Sequence, residues 1–476
     1  MANLALCIHG HFYQPPREDP LTGIIPMEPG AFPFSNWNER IHSECYRPNA
    51  ELHNLEKISY NFGPTLLSWM GGYDPFTMQR IISQDHANVH KFGVGNAIAQ
   101  PFNHTILPLS SYRDKVTQVM WGIADFTARF GRQPRGMWLP EAAVDTETLM
   151  ILSDFGIEFT ILAPWQANTP NLDPTEPYWV SLPGKRRMIA FFYHGELSGR
   201  ISFDPSITVD ADTFAKTELI KHYNPQKIRA GEPQLLLLAT DGELYGHHKT
   251  QREQFLKQLT NGAIHSQDIE ITYPALWLRE HTPRHTIPIN YETSWSCHHG
   301  LARWSTGCGC TPGDSTWKKH LREAFNDIAA AVDEIYYDNV RRYVMEPWDL
   351  RNQFIDVILN RRTAPELITE YAMIPLNERK IQQIHWLLEA QFERQRMFTS
   401  CGWFFDDLDR IEPKNSIAYA AQAVWMTYQA TGIDLTNKSL EFLKSTVSQN
   451  GTVRADQLFL KHLVRAQTSR QLMPVH

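Results

Sequence analysis

The sequence predicts an α/β protein in which a parallel α/β barrel is followed by an all-α domain. Short apolar segments without polar alternation recur before residue 310, as is typical of strands buried on both faces. Helical patterns stand between these segments, and repeated strand–helix–strand units favour a parallel barrel. After residue 310, apolar residues recur only at helical spacing. A chain of 476 residues is long enough for two such domains.

Five segments are expected to form the buried strands of the barrel: 4–8, 136–139, 159–163, 188–193 and 234–239. Apolar residues at helical spacing predict a helix within 116–130, which Gly131 can end. Asp145 can cap a second helix over 146–155, and Gly156 can end it. The next predicted strand follows at once, which completes one strand–helix–strand unit.

The helical domain is predicted from apolar stripes at 321–335 and 381–392, with further helices near 416–430 and 438–448.

Composition excludes some functions. The net charge of −7 gives no support to binding of nucleic acid or a membrane surface. The apolar segment 4–8 is too short for a signal-peptide core, and six cysteines do not suggest a disulfide scaffold. We therefore expect a cytoplasmic protein.

Polar side chains follow the predicted strands, and catalytic groups of parallel barrels lie where strands end. These residues are His9, His11, Gln14, Asn103, His104, Glu141, His194, Glu196, Asp241, Glu243, His247 and His248. Their concentration at one rim indicates an active site.

Two chemistries fit this rim. His9 and His11 resemble the metal-binding pair of amidohydrolase barrels, with Asp241 as a further ligand, which would suit metal-assisted deacetylation or amide hydrolysis. Alternatively, Glu141 and Asp241 supply the two carboxyl groups that glycoside hydrolysis needs. Spacing alone does not decide between a metal-dependent deacetylase or amidohydrolase and a glycosidase.

Four motifs resemble successive motifs of glycoside hydrolase family 57: "HGHFYQPP", "GNAIAQPFNHTILPL", "GMWLPEAAVDTETL" and "LLLATDGELYGHH". "MFTSCGWFFDD" resembles more loosely the family's motif in its helical region, and the chain is similar to a subgroup with a C-terminal domain of unknown function. The resemblance implies an incomplete (β/α)7 barrel over residues 1–310. It also implies a helical domain over residues 311–476 that completes the cleft.

The same resemblance implies a retaining, α-amylase-like enzyme that acts on α-linked glucans or oligosaccharides without a cofactor or metal. A 4-α-glucanotransferase or glycogen branching enzyme is the near alternative on this scaffold. By motif, Glu141 corresponds to the nucleophile and Asp241 to the general acid and base. Retention predicts that their carboxyl groups lie roughly 5–5.5 Å apart.

Other roles follow from the same motifs or from strand-end positions. Gln14 is preceded by Phe12 and Tyr13, which depart from the family pattern at this motif. The residues expected to bind substrate or support the site are His9, His11, Gln14, His104, Trp138, His194, Glu243 and Trp403.

A cluster of thiols and imidazoles lies in "TSWSCHHGLARWSTGCGC" (293–310). Such groups so close in sequence could bind zinc. However, Cys308 and Cys310 form Cys-x-Cys rather than the usual Cys-x2-Cys knuckle, and a disulfide between Cys308 and Cys310 or Cys297 is equally open. We expect reduced thiols without a metal.

Overall fold

A computed structural model describes residues 4–472, which form two compact units. Among these residues, unit 1 comprises 4–14, 27–102 and 126–295, and unit 2 comprises 15–26, 103–125 and 296–472. The functional division into residues 1–310 and 311–476 stays a prediction, since compactness alone does not define it. No helix in the described part of the chain is both long and apolar enough to cross a membrane.

Unit 1 is built on β-strands. Its strands, within the described residues, are β1 (Leu4–Phe12), β2 (Ser59–Phe62), β3 (Phe159–Leu162), β4 (Tyr178–Ser181), β5 (Arg187–Phe192), β6 (Gln234–Asp241) and β7 (Ile269–Ile271). Four of the five predicted strand segments coincide with β1, β3, β5 and β6, whereas β2, β4 and β7 are too short or too polar to stand out in the sequence.

The parallel strands are arranged as an incomplete barrel. β1 pairs in parallel with β2 on one side and β6 on the other, while β3 pairs in parallel with β5. Single parallel bridges continue the ring from Tyr60 to Ala97, from Ala99 to Met137 and from Gly136 to Phe159. The predicted strand at 136–139 is therefore reduced to these bridges. The antiparallel strand β4 occupies the other edge of β5, where the ring is interrupted.

The helices confirm most of the helical predictions. They are α1 (Trp37–Ile41), α2 (Arg47–Glu51), α3 (Pro64–Tyr73), α4 (Pro75–Phe92), α5 (Tyr112–Phe130), α6 (Thr146–Asp154), α7 (Gly195–Phe203), α8 (Ala211–Thr213), α9 (Pro225–Ala230), α10 (Arg252–Gln258), α11 (Pro274–Trp277), α12 (Thr316–Val340), α13 (Pro347–Gln353), α14 (Ile355–Ile358), α15 (Ala364–Tyr371), α16 (Glu378–Arg396), α17 (Cys401–Phe404), α18 (Ile411–Thr431), α19 (Thr436–Leu443) and α20 (Ala455–Leu472). As predicted, Asp145 caps α6, since its Oδ1 accepts a hydrogen bond from the Thr148 N–H at 2.7 Å.

The alternation of side chains along the strands positions the site. Ala5 and Cys7 of β1 belong to the barrel core, and so do the residues of β6 from Leu235 to Ala239 at every second position. Because side chains of a strand alternate between two faces, the same faces continue to His9 and His11 on β1 and to Asp241 on β6. The apolar interior of unit 1 therefore ends in imidazole and carboxyl groups.

Candidate active site

The two histidines of β1 lie opposite polar residues of β2. The strand register pairs His9 with Ser59 and His11 with Asn61. Nδ1 of His9 lies 2.9 Å from Ser59 Oγ, and its Nε2 lies 3.2 Å from Asn61 Oδ1. The Asn61 amide also lies 3.0 Å from Nδ1 of His11. The sequence placed both histidines after the first strand, but β1 extends to Phe12 because β2 and β6 both pair with its final residues.

Burial keeps both imidazoles neutral. Loss of hydration lowers the pKa of His9 to about 3, with a further contribution from the neighbouring His11. Burial likewise lowers the pKa of His11 to about 4. At neutral pH these rings therefore act as hydrogen-bonding groups without charge.

Two indole rings close around the histidines. Trp138 is fully buried, and its ring stacks on His9 at a centroid distance of 4.8 Å and on His11 at 5.2 Å. Trp295 meets Trp138 edge-on at 4.8 Å. With its ring covered by histidines, Trp138 orients the imidazoles in this structure, and direct stacking on a sugar stays a prediction.

Asp241 ends β6 directly beside His11, its partner in the strand register. Solvent reaches its side chain, but protein atoms crowd the remaining sides. This partial desolvation, together with the negative charge of Glu141, raises the pKa of Asp241 to about 7. No Lys, Arg or His among the described residues lies within ion-pair distance of Asp241. The carboxyl group can therefore hold a proton near neutral pH.

Glu141 lies in a single 3₁₀ turn, Pro140–Ala142, with unusual backbone angles. Glu141 has φ 57° and Ala142 has φ 48°, so two consecutive residues with side chains occupy the left-handed region. Each such residue costs on the order of 1–3 kcal/mol and persists only where its surroundings enforce it. Trp295 enforces it here, because its backbone N–H donates to the Glu141 carbonyl and its Nε1–H donates to Oε2 at 3.1 Å. Strain of this kind is typical of functional sites.

Glu243 lies behind Asp241 and is buried. Its Oε1 accepts hydrogen bonds from the Tyr46 hydroxyl at 2.6 Å and from the Tyr13 backbone N–H at 3.1 Å. The Gln14 side chain bonds to the same Tyr46 hydroxyl. Burial raises the pKa of Glu243 to about 8, although the Tyr46 hydrogen bond opposes the rise. Glu243 thus holds the backbone at Tyr13, which together with Phe12 departs from the family pattern.

The turn between the two acids requires glycine. A Cβ on Gly242 would lie 2.3 Å from the ring of Phe12, too close for any side chain. Phe12 stacks in turn on Phe62 at a centroid distance of 4.5 Å. The Asp-Gly-Glu pattern therefore has a packing reason besides its chemistry.

Three further predicted residues have local structural contacts of their own. His194 caps α7, with its Nδ1 accepting from the Leu197 N–H, and burial lowers its pKa to about 4. His104 and Trp403 belong to unit 2. Their roles at the substrate site stay predictions.

The side chains of His104 and Trp403 both contact other residues of unit 2. Nδ1 of His104 lies 2.7 Å from Ser400 Oγ. Trp403 is fully buried, and its Nε1–H donates to the Lys318 carbonyl at 3.1 Å. The Arg322 guanidinium lies over its ring. The ring of Trp403 is therefore held by residues of unit 2, and its role as a wall of the substrate site stays a prediction.

Sequence reasoning missed several members of the site. Asn61 joins the two histidines and donates to Gln100 Oε1 at 2.6 Å, yet β2 was not predicted. Alternation in "SYNF" (59–62) could have predicted a short strand there, but it would have placed the polar Asn61 away from the core. Nothing in the sequence connects Tyr46 with Glu243 or Trp295 with Glu141, because these contacts depend on distant parts of the chain.

The arrangement is suited to proton transfer beside a second carboxylate. Asp241 can donate a proton near neutral pH, while Glu141 presents a carboxyl group held by Trp295. Both nitrogens of His9 are engaged by side chains of β2, which leaves neither available to bind a metal ion. The geometry therefore favours two-carboxylate chemistry over the amidohydrolase alternative.

Comparison with known families agrees with this geometry. Residues 31–290 match "Glycosyl hydrolase family 57", and residues 314–474 match a "Domain of unknown function (DUF3536)". A 4-alpha-glucanotransferase from Thermococcus litoralis is 21% identical over 52% of this chain and 36% of its own length. An alpha-amylase from Pyrococcus horikoshii is 23% identical over 35% of this chain and 26% of its own length. The matched part thus spans about a third or less of these relatives.

Solved structures share the fold. An exo-type maltose-forming amylase from Pyrococcus sp. ST04 superposes with a TM-score of 0.78 at 16% identity, covering 97% of this chain and 88% of that one. A GH57-type branching enzyme from Pyrococcus horikoshii gives a TM-score of 0.61 at 15% identity, covering 99% and 96%. The expected α/β barrel followed by a helical domain is confirmed. Because the family match contains both Glu141 and Asp241 and covers more than half of the chain, this protein belongs to glycosyl hydrolase family 57.

Proposed function

We propose that this protein is a retaining glycosidase that acts on α-linked glucans or oligosaccharides, with Glu141 as nucleophile and Asp241 as general acid and base. The observation that carries the proposal is the pairing of two acids, of which one must hold a proton and the other must be ionised. Partial burial and, to a smaller extent, the charge of Glu141 raise the pKa of Asp241 to about 7, which suits a proton donor. The strained turn that presents Glu141 suits a residue held for attack.

The reaction proceeds in two displacements. A Glu141 carboxylate oxygen attacks the anomeric carbon while Asp241 gives its proton to the glycosidic oxygen, so the C–O bond breaks and a covalent β-glycosyl-enzyme forms. Asp241, now a carboxylate, then removes a proton from the acceptor hydroxyl, which attacks the same carbon from the other face and releases Glu141. Two inversions give net retention of the α configuration.

The neutral imidazoles support this reaction by binding. In the strand register His11 is the partner of Asp241 and His9 is the partner of Ala239, and both imidazoles are uncharged near neutral pH. They can therefore hydrogen-bond sugar hydroxyls without changing the electrostatic balance between the two carboxyl groups. Asn61 fixes their orientation, as a partner of both rings.

The substrate class is supported by the relatives, which are named as amylases, a 4-alpha-glucanotransferase and a branching enzyme. We favour α-amylase-like hydrolysis, in which water is the acceptor. Transfer to a sugar hydroxyl uses the same glycosyl-enzyme and is the near alternative.

We assign the reaction to the cytoplasm from the low cysteine content, which localisation of a tagged chain tests.

Incubation with maltooligosaccharides of defined length tests the substrate and the reaction. Only shorter products would mean hydrolysis, longer products would mean 4-α-transfer, and new α-1,6 linkages would mean branching. Glu141→Gln is the matched control, since it keeps the size of the side chain and removes the carboxylate. Absence of any turnover by the wild-type protein across these glucans would contradict the proposed substrate class.

Azide distinguishes the two carboxyl groups. In Glu141→Ala, azide can attack an activated α-glycoside directly and give a β-glycosyl azide. In Asp241→Ala, azide attacks the glycosyl-enzyme and gives the α-glycosyl azide. Identical products from both variants, or the reverse assignment, would refute the roles proposed here. Release of acetate from acetylated oligosaccharides, measured in parallel, would favour the deacetylase alternative instead.

A further inference from the structure

A cluster of four side chains in unit 2 has no part in the proposed reaction. Cys297, His299, Cys308 and Cys310 each direct one sulfur or ring nitrogen to a common point, and these four atoms all lie within 4.8 Å of one another. It is the one group of at least three His, Cys, Asp or Glu ligands of this kind in the described part of the chain. The sequence left its role open between thiols, a disulfide and zinc.

Three distances within the cluster are close to those of a tetrahedral zinc site. The Cys297 sulfur lies 3.7 Å from that of Cys308 and 3.8 Å from that of Cys310. Zn–S bonds of about 2.3 Å at tetrahedral angles place two sulfurs about 3.8 Å apart. Nδ1 of His299 lies 3.3 Å from the Cys310 sulfur, and zinc geometry requires about 3.6 Å for this pair. A disulfide would need sulfurs about 2.05 Å apart.

The loop that carries two of the sulfurs is fixed by its backbone. Gly307 has φ 85°, and a Cβ at this position would lie 2.4 Å from the carbonyl oxygen of Ser315, just before α12. Only glycine fits both requirements. Cys308 and Cys310 therefore project from a turn that is packed against the start of a long helix.

Positive charges surround the cluster in the way that a thiolate-rich site requires. Lys318 is fully buried, and its Nζ has a long 3.5 Å contact with Thr311 Oγ1. The groups near it that can carry negative charge are Cys297, Cys308 and Asp406. A buried cation is costly unless a counter-charge offsets it.

Arg303 adds a second positive charge beside the sulfurs. Its side chain hydrogen-bonds the Cys310 sulfur, and its Nη2 donates to the Ser296 carbonyl at 3.1 Å. Hydrogen bonds from neighbouring side chains to ligand atoms are the usual support of a metal site. Deprotonated sulfurs would in turn supply the counter-charge that Lys318 and Arg303 need.

We propose that Cys297, His299, Cys308 and Cys310 bind one Zn²⁺ ion in a structural Cys₃His site. All four coordination positions come from the protein, which is the pattern of structural rather than catalytic zinc. On binding, each thiol releases one proton to solvent and the imidazole binds in its neutral form. Three thiolates and Zn²⁺ then carry a net charge of −1, which together with the carboxylate of Asp406 offsets the charges of Lys318 and Arg303.

Metal analysis of the full chain, purified without chelator and dialysed against zinc-free buffer, tests the site. We expect one zinc per chain in the wild-type protein and a loss of at least tenfold in zinc content in Cys308→Ser/Cys310→Ser. Cys401→Ser is the matched control, since this cysteine also belongs to unit 2 but lies outside the cluster. His299→Ala and His298→Ala form a second matched pair, in which only His299→Ala should weaken zinc binding.

A spectroscopic readout on the unaltered chain keeps the test valid if a variant fails to fold. Replacement of zinc by Co²⁺ should give thiolate charge-transfer absorption and the intense visible bands of a tetrahedral centre. Wild-type protein that binds neither ion after supplementation with zinc or cobalt would overturn the proposal. Recovery of a disulfide among these cysteines from protein purified under reducing conditions would overturn it as well.

Discussion

Desolvated carboxyl groups occur in both units, but the charges around them are opposite. In unit 1, loss of hydration raises the pKa values of Asp241 and Glu243 to about 7 and about 8, and neighbouring acids add to the rise. In unit 2, Asp114 lies between Arg351 and Arg394, with N–O distances of 3.1 and 2.8 Å, and these cations hold its pKa well below the usual range.

The contrast separates chemistry from stability. A carboxylate matched by two arginines is stabilised in one charge state and has no proton to exchange. Acids placed near each other without cations destabilise the folded protein but gain pKa values close to neutrality. The site of unit 1 therefore gives up stability for proton transfer, while the ionic core of unit 2, made of Asp114, Arg351 and Arg394, does not.

The largest effect is expected from Glu141→Gln. Loss of the nucleophile should lower kcat on the order of 10⁴-fold or more. The thermal midpoint should stay the same or rise, because the change removes a charge that opposes Asp241. Steady-state kinetics and thermal unfolding check both outcomes, with Glu147→Gln on the exposed side of α6 as control. Substantial activity in Glu141→Gln would mean that Glu141 is not the nucleophile, and unit 1 would then no longer be the catalytic side of this comparison.

Asp114→Asn should produce the largest loss of stability. It leaves two buried arginines without their shared counter-charge, which costs about 3–5 kcal/mol. The pH profile of the remaining folded enzyme should be unchanged, since Asp114 takes no part in proton transfer. Asp154→Asn is the matched control, because it breaks a surface pair with Arg186 worth about 1 kcal/mol or less. Denaturant titration measures the free energy of unfolding of both variants, and equal losses would contradict the role assigned to Asp114.

The two acids should respond to pH with opposite signs. Asp241 has a folded pKa of about 7, above its unfolded value of about 3.9. Its destabilising contribution is therefore absent below about pH 4 and complete above the folded pKa. Asp114 has a lowered folded pKa, so its stabilising contribution is present above the unfolded value and is lost in stronger acid.

Asp241→Asn should accordingly raise the thermal midpoint at pH 8 and leave it unchanged at pH 4, whereas Asp114→Asn should lower it at both. In wild-type enzyme, kcat/KM should fall about tenfold per pH unit above the pKa of Asp241, because the proton donor is lost. Pre-steady-state assays with an activated leaving group should lack this fall for glycosyl-enzyme formation. If the rate of glycosyl-enzyme formation still falls at high pH in these assays, a group other than Asp241 causes the fall.

The sequence predicted the strands that carry most of the site but not its cross-strand partners. β1 and β6 are long apolar segments, so their ends, and with them His9, His11 and Asp241, could be located from hydrophobic patterning. The Asn61 bridge, the Tyr46–Glu243 bond and the hold of Trp295 on Glu141 depend on strand register and loop packing, which local patterns do not specify. The placement of Trp403 at the substrate likewise depends on tertiary contacts that local patterns do not specify, and it stays a prediction.

The smallest effect is expected from Tyr46→Phe, and its pH dependence sharpens the comparison. At pH 6, Glu243 is protonated because its pKa is about 8, so the lost hydrogen bond is neutral. Such a bond is worth about 1 kcal/mol, and one to an ionised carboxylate about 1.5–3 kcal/mol. The destabilisation by Tyr46→Phe, measured by denaturant titration, should therefore grow between pH 6 and pH 9. Tyr60→Phe, which removes a buried hydroxyl bonded to the Ile81 carbonyl, should lose the same stability at both pH values. Parallel behaviour of the two variants would mean that Glu243 keeps one charge state from pH 6 to pH 9. A constant loss of about 1.5–3 kcal/mol would indicate an ionised carboxylate with a fixed charge, as in Asp114.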